Sequence, residues 1–433
     1  KQSLVRLAER EGYFQFQWLS QEILIQPDLE QADIRLHFSI GEPARFGQLQ
    51  WSPVDFTPQL LQRFVTIKPN DKYDAKVVNR LRDDLSTSGY FNQVAVVEEV
   101  DRSQHPAVVN LRIELDPRPA NTYTTTLGFG TDTGPRGQFA WDRHYLGPSG
   151  DRLNLATGAQ QQNNEFVLRG NYERPRGNDP DEFWFAKILT LREEEDFRFE
   201  DSSNDEQIFP QLDGNQRQLQ LDVGLLRDQG RDGAWPIKER WFLSFLYDRF
   251  DALDRSELVP EQLALLEANP QLEPNLQVSQ QVVSAGASWD LGHIRGHGFA
   301  IHGTSAQLRL TGALESAGSD ISFAKVYFRA RHSRVVGDNH KFLFRGELGY
   351  TEAATRDFTI ALDERSLDLS ISRLPEAYRF KTGGDRSVRG YGFESLSNNR
   401  IGSNHLLSFS AEYEYRLAQN WAVAGVYDVG NAF

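Results

Sequence analysis

The residues best suited to chemistry lie together at Val388-Arg389-Gly390-Tyr391-Gly392. Gly383-Gly384-Asp385-Arg386-Ser387 precedes them, and Phe393-Glu394-Ser395-Leu396 follows. A guanidinium is planar, always charged and weakly hydrated, and it grips a carboxylate through two parallel hydrogen bonds. Glycines at 390 and 392 let the backbone turn tightly beside it. An arginine set between a valine, glycines and an aromatic suits entry into a confined space and pairing with an acid there. Gly383, Gly384 and Asp385 read as structural rather than ligand-binding. No rival constellation appears. There is no Gly-x-Ser-x-Gly elbow, no His-Glu-x-x-His helix and no phosphate-binding Gly-x-x-x-x-Gly-Lys-Ser/Thr. The nine His are scattered, with His293 and His297 the only close pair. The expectation is a protein that is not an enzyme and has no cofactor and no metal site.

The elements that must position this arginine come from pattern. A chain of 433 residues accommodates two to four domains or one large barrel with attachments. Mean hydropathy is -0.55. No run approaches the roughly 18 apolar residues of a membrane helix. That excludes helical membrane proteins only, because a transmembrane barrel alternates lipid-facing and lumen-facing residues. The 28 Phe, 14 Tyr and 8 Trp are enough for interfacial girdles. A net charge of -14 argues against nucleic acid as a partner. The absence of Cys removes disulfides and thiolate metal sites.

Methionine is also absent, where roughly ten would follow from ordinary usage. Two readings follow. The chain is part of a longer mature protein, or methionine positions are missing from the sequence and strand phase slips at each of them.

Arg10-Glu11-Gly12-Tyr13-Phe14 recurs as Ser88-Gly89-Tyr90-Phe91. An alternating segment follows each copy: Ile34, Leu36, Phe38 and Ile40, then Val109, Leu111, Ile113 and Leu115. This is the mark of a repeated module. The second copy predicts a strand over 46–51. Thr57 then caps a helix with Pro58 at its first position, whose apolar face carries Leu60, Leu61, Phe64 and Val65. Asp74 caps a second helix with Val77, Val78, Leu81 and Leu85, stopped by Gly89. Strands over 91–98 and 108–115 complete a β-α-α-β-β order. The first copy begins inside its second helix, at 2–10.

Beyond Pro117-Arg118-Pro119 the chain reads as strand after strand. The expected spans are 122–130, 137–145, 151–158, 164–174, 183–193, 215–227, 239–250, 278–290, 298–308, 322–332, 340–350, 404–416 and 421–429. Spans of about 9–13 residues suit tilted membrane strands. Polar and aromatic residues share one face, as with Lys325, Tyr327, Arg329 and Arg331 against Val326, Phe328 and Ala330. Phase is ambiguous over 183–193, where Lys187 disturbs either assignment. The polar stretches 196–214 and 252–276 read as extracellular loops. In the first, a solvated acidic loop is favoured over a calcium site, because no 12-residue calcium-loop spacing is present. The longest connection, 351–403, holds Arg389.

The repeated module resembles the POTRA domain, with residues 1–43 the C-terminal part of one copy and 44–118 a complete one. POTRA modules bind extended segments by adding a strand to an open sheet edge. With the barrel strands and the Val-Arg-Gly-Tyr phrase, the whole chain resembles the BamA/TamA superfamily of outer-membrane protein insertases. Within it the loop phrase is most like the TamA branch. The resemblance implies an all-β, 16-stranded transmembrane β-barrel preceded by α+β POTRA domains. Residues 119–433 would be that barrel, cut after about strand 13.

It also implies that the loop folds into the barrel lumen and that Arg389 pairs with acids on the next two strands, here Glu412 and Asp428. Alternation agrees: Ser408, Ser410, Glu412 and Glu414 share one face, while Trp421, Val423 and Tyr427 leave Asp428 on the same inner side. The first strand, with Thr122, Thr124 and Thr126, would form one side of a seam where a client strand pairs. The implied setting is the outer membrane of a Gram-negative bacterium, with POTRA domains in the periplasm. The implied partners are a TamB-like inner-membrane-anchored protein, unfolded outer-membrane clients such as autotransporters, and lipid or lipopolysaccharide. BamA itself and a two-partner secretion pore remain the alternatives.

Overall fold

The computed structural model describes residues 2–26, 31–130, 134–161, 164–197, 200–201, 206–207, 212–229, 236–251, 256, 258–271, 273, 277–362, 365–384, 387–392, 394–397, 402–418 and 421–433. The chain forms two compact units. One holds Lys1–Thr122 with Arg143–Arg152 and Pro175–Pro180, and the other holds Tyr123–Asp142, Leu153–Arg174 and Asp181–Phe433.

In the first unit, α1 (Gln2–Arg10) leads to an antiparallel hairpin of β1 (Gln17–Gln26) and β2 (Gln31–Ser39). Then come β3 (Arg45–Trp51), α2 (Pro58–Gln62), α3 (Ala75–Thr87), β4 (Phe91–Asp101) and β5 (Val108–Pro117). The sheet order is β3-β5-β4, with β3 parallel and β4 antiparallel to β5. Local chemistry explains the helix boundaries. Thr57 accepts a hydrogen bond from the Leu60 N–H, and Asp74 accepts one from the Lys76 N–H at 2.8 Å. Past the end of α3, Gly89 sits at φ +81°, a conformation that favours glycine.

Helix α2 is shorter than its apolar spacing suggests. It stops at Gln62, and Phe64 enters the core from the turn that follows. Leu60, Leu61, Leu81, Leu85, Val109, Leu111 and Ile113 pack in that core. Tyr73 is buried beside it and donates its O–H to Glu98 at 2.7 Å. Burial first, and the Glu98 carboxylate second, hold its phenol well above the ordinary tyrosine range.

The second unit is built on one large sheet. Its strands are β6 (Asn121–Gly130), β7 (Gly134–Arg143), β8 (Arg152–Gln160), β9 (Glu165–Pro175) and β10 (Glu182–Phe197). The two-residue strands β11 (Glu200–Asp201) and β12 (Glu206–Gln207) pair separately. The large sheet continues with β13 (Leu212–Gln229), β14 (Ile237–Asp251), β15 (Gln277–Arg295), β16 (His302–Ala313), β17 (Phe323–Val336) and β18 (His340–Ala353). A separate hairpin, β19 (Thr355–Leu362) with β20 (Arg365–Ser372), interrupts it. The last strands are β21 (His405–Ala418) and β22 (Trp421–Ala432). The thirteen strands of the large sheet follow chain order from β6 at one margin to β22 at the other.

Successive side chains point to opposite sides of a strand, so each strand presents two different surfaces. One face of the sheet carries the loop that holds Arg389. The opposite face exposes Trp184, Trp241, Leu243, Phe328, Phe344, Tyr350, Phe409 and Tyr427. The ambiguous strand β10 follows the same rule. Phe183, Phe185 and Lys187 lie on the loop face, opposite Leu226, Gly224 and Asp222 of β13, while Trp184 points out. Lys187 disturbs simple alternation because its own face also carries a cluster of Phe183, Phe185, Leu226 and Phe242.

Three features depart from the sequence reading. Gly298–Ala300 form a 3-10 turn, and the strand expected there begins at His302. Helix α4 (Pro260–Ala268) lies within the connection 252–276. The long connection 351–403 is structured by β19 and β20. Strands β13 and β15, at 18 and 19 residues, outrun the roughly 9–11 residues that a bilayer requires. Much of the acidic stretch 196–214 lies outside the described residues.

Candidate functional site

Register places the acids. Directly opposite residues of antiparallel strands share a face. Arg345 of β18 is opposite Ser410 of β21, and Ser410 is opposite Asp428 of β22. The next row on the same face is Leu343, Glu412 and Val426. A carboxylate from each of two adjacent strands therefore stands beside a serine hydroxyl.

Arg389 meets this group from the loop. Its Nε donates to Asp428 Oδ2 at 2.7 Å and its Nη2 to Asp428 Oδ1 at 3.0 Å, the two-pronged grip that guanidinium geometry favours. Its Nη1 donates to Glu412 Oε2 at 2.8 Å, and Nη2 also reaches Ser410 Oγ at 3.2 Å. The Arg389 backbone N–H adds a bond to Asp428 Oδ2 at 3.0 Å. The Asp428 side chain is only 4% exposed. Hydrogen bonding to Asp428 chiefly, and to Glu412, holds the guanidinium well above even the usual arginine range, so it stays charged.

The loop backbone is shaped to deliver that side chain. Thr382 and Leu396 exchange two backbone hydrogen bonds, pinching the segment between them. Gly390 lies at φ +92°, a conformation that disfavours any side chain. Gly383 lies at φ +116°, and a Cβ there would stand 2.6 Å from the Gly392 carbonyl oxygen. Gly392 needs no left-handed conformation, and a Cβ there would meet Ser395 only at ordinary contact distance, so the close approach depends on Gly383. Val388 is buried, whereas Tyr391 is 57% exposed. Asp385 lies outside the described residues.

The stem of the loop has contacts that sequence reasoning missed. Glu376 N–H donates to Asp248 Oδ2 at 3.0 Å, and Gln280 donates to the Arg373 carbonyl at 2.8 Å. Tyr378 and Phe380 turn toward β15 and β17, where Lys325 Nζ donates to the Tyr378 carbonyl at 2.6 Å. A cavity of about 410 Å³ remains between stem and wall, lined by Glu193, Gln218, Arg309, Lys325, Glu347 and Arg379 among others. The aromatics of the stem were the available signal, and they were not used. Ser410 had none, because a serine on the polar face of a strand looks like any other.

Thr122, Thr124 and Thr126 lie on β6, at the margin of the sheet farthest in order from β22. Thr122 Oγ1 is 2.9 Å from His144 Nε2. Thr126 lines a separate cavity of about 360 Å³ with Arg136, Gln138 and Arg169. The three threonines do not touch the Arg389 group.

Residues 283–433, which include the whole Arg389 group, match the Omp85 superfamily domain. The chain is similar in structure to BamA from Haemophilus ducreyi lacking POTRA domains 1–3, with a TM-score of 0.71 at 12% identity. That match covers 100% of this chain and 80% of the other. CdiB from Acinetobacter baumannii gives a TM-score of 0.52 at 14% identity, over 99% of this chain and 71% of that one. CdiB from Escherichia coli gives 0.54 at 11%, over 99% and 72%. At these identities the likeness is one of fold: the chain has a BamA-like β architecture, with the match to the Omp85 superfamily domain over residues 283–433.

Proposed function

We propose that this protein is a non-enzymatic assembly factor of a Gram-negative outer membrane, helping to insert β-barrel clients such as autotransporters. The observation that carries the reading is the Arg389 group. One loop arginine satisfies two carboxylates from adjacent strands on the sheet face opposite the exposed aromatics. In this reading that aromatic face meets lipid, and the loop is locked in the lumen of a 16-stranded barrel. The module at 44–118, with the partial copy at 1–43, acts as a periplasmic POTRA array. Clients template on the marginal strand β6, with Thr122, Thr124 and Thr126, while the nearby bilayer is destabilised locally. Client folding supplies the energy, and no nucleotide is consumed. Within the family we favour a TamA-like role with a TamB-like inner-membrane-anchored partner, and contact with lipid or lipopolysaccharide at the rim.

Arg389→Ala leaves two carboxylates without their cation, a change typically worth about 3–5 kcal/mol for a desolvated pair. The expected result is defective client assembly in cells with a normal level of heat-modifiable, folded protein. Arg389→Lys should rescue poorly, because an ammonium cannot reproduce the fork. Full client assembly by Arg389→Ala at wild-type protein levels would overturn the proposal.

A further inference from the structure

The loop is held at a second place by different chemistry. Phe380 is buried, and its ring lies where a side chain at Gly349 would be. A Cβ built on Gly349 would stand 2.4 Å from the tip of the Phe380 ring. Gly349 belongs to β18, on the face that carries the loop, and lies opposite Tyr327 of β17 and Leu406 of β21. Tyr327 stacks on Phe380 with ring centroids 6.0 Å apart, and Leu406 packs against it. Lys325 Nζ sits 3.9 Å from the centre of the same ring. Phe380 also exchanges two backbone hydrogen bonds with Ser403, of 2.8 and 2.9 Å, so the socket pins both arms of the loop together.

The two attachments use different residues, although both draw on β21 and Ala432 of β22 packs in the Phe380 cluster. The Phe380 socket is built on β17, β18 and β21, while the Arg389 carboxylates come from β21 and β22. Buried aromatic packing draws on desolvation and ring contacts rather than on an ion pair. We propose that Phe380 in the Gly349 notch is a standing pivot that positions the loop independently of Arg389. The Arg389 group is then a latch that can open while the loop base remains seated. This rests on the proposed function only in treating the loop as the working part.

The chain has no cysteine, so single-cysteine reporters are clean. Val388 is 3% exposed and reports the latch, and Ser403 is 2% exposed and reports the socket. Val388→Cys or Ser403→Cys would be placed in the full chain in native membranes and maleimide labelling rates measured. Arg389→Ala should speed labelling at the Val388→Cys site and leave the Ser403→Cys site protected. Phe380→Ala, which removes a large buried side chain, should speed labelling at both sites by roughly tenfold or more. Gly349→Ala should act like Phe380→Ala, and adding Phe380→Leu should restore part of the protection by making room for the new methyl group.

Equal exposure of both sites by Arg389→Ala, or unchanged labelling at Ser403→Cys with Phe380→Ala, would overturn the pivot. Should Gly349→Ala prevent folding, Phe380→Ala still decides, since it lies on the loop and leaves the strands intact. No client enters these measurements. A failed pivot is therefore distinct from a failed assembly assay.

Discussion

Asp428 and Glu412 are not equivalent partners of Arg389. Asp428 accepts from Nε, Nη2 and the backbone N–H, whereas Glu412 accepts from Nη1 alone. Hydrogen bonds to charged groups are worth about 1.5–3 kcal/mol each. Asp428→Asn replaces an acceptor oxygen by an NH₂ facing the guanidinium, so it should expose the loop to protease far more than Glu412→Gln. Equal cleavage of the two variants would show that the latch does not depend on the two-pronged contact. The family resemblance pointed to the two acids, and strand phase agreed with it: Glu412 falls in a strictly alternating segment, and Asp428 falls between outward Tyr427 and Val429. Phe380 and Gly349 were not legible. Nothing links a loop aromatic to a strand glycine until the backbone brings them together.

The thirteen strands of the large sheet could be read as elements, since most alternate over enough residues to reveal their period, β10 with its Lys187 being the exception. Alternation does not say which sheet a strand joins. Arg365-Ser366-Leu367-Asp368-Leu369-Ser370-Ile371-Ser372 alternates as strictly as any of them, yet it pairs with β19 in a separate hairpin. Helix α4 had its own signal in Pro260 followed by closely spaced leucines, hidden within a polar connection. In the first unit the β-α-α-β-β order was carried by Thr57, Asp74 and Gly89, each with a specific capping or turning task. Tyr73, which ties α3's entry to β4 through Glu98, makes no such pattern. Tyr73→Phe should destabilise this unit by about 1 kcal/mol. Hydrogen exchange over β4 and β5 of the full chain should then quicken, with the large sheet unchanged. Because the folded state raises the Tyr73 pKa, the neutral phenol is the stabilising form. Its contribution is complete below the ordinary tyrosine pKa of about 10 and fades as pH rises past it.

For the whole molecule, the decisive contrast is between the two faces of the large sheet. Trp184, Trp241 and Trp421 are exposed on the face away from the loop. A transmembrane sheet places such residues in lipid and at its interface. In vesicles of brominated lipid, emission from these three should be strongly quenched, while Trp51 of the first unit should keep its intensity. Equal, weak quenching of all four would show that the aromatic face meets water. The pairing of β21 with β22 carries one more consequence. Ser410 faces Asp428 in register, and a slip of one residue would turn Asp428 to the aromatic side, beyond the reach of Arg389. The arginine meets both acids only when β21 and β22 pair in this frame, so its double contact is itself a readout of strand register.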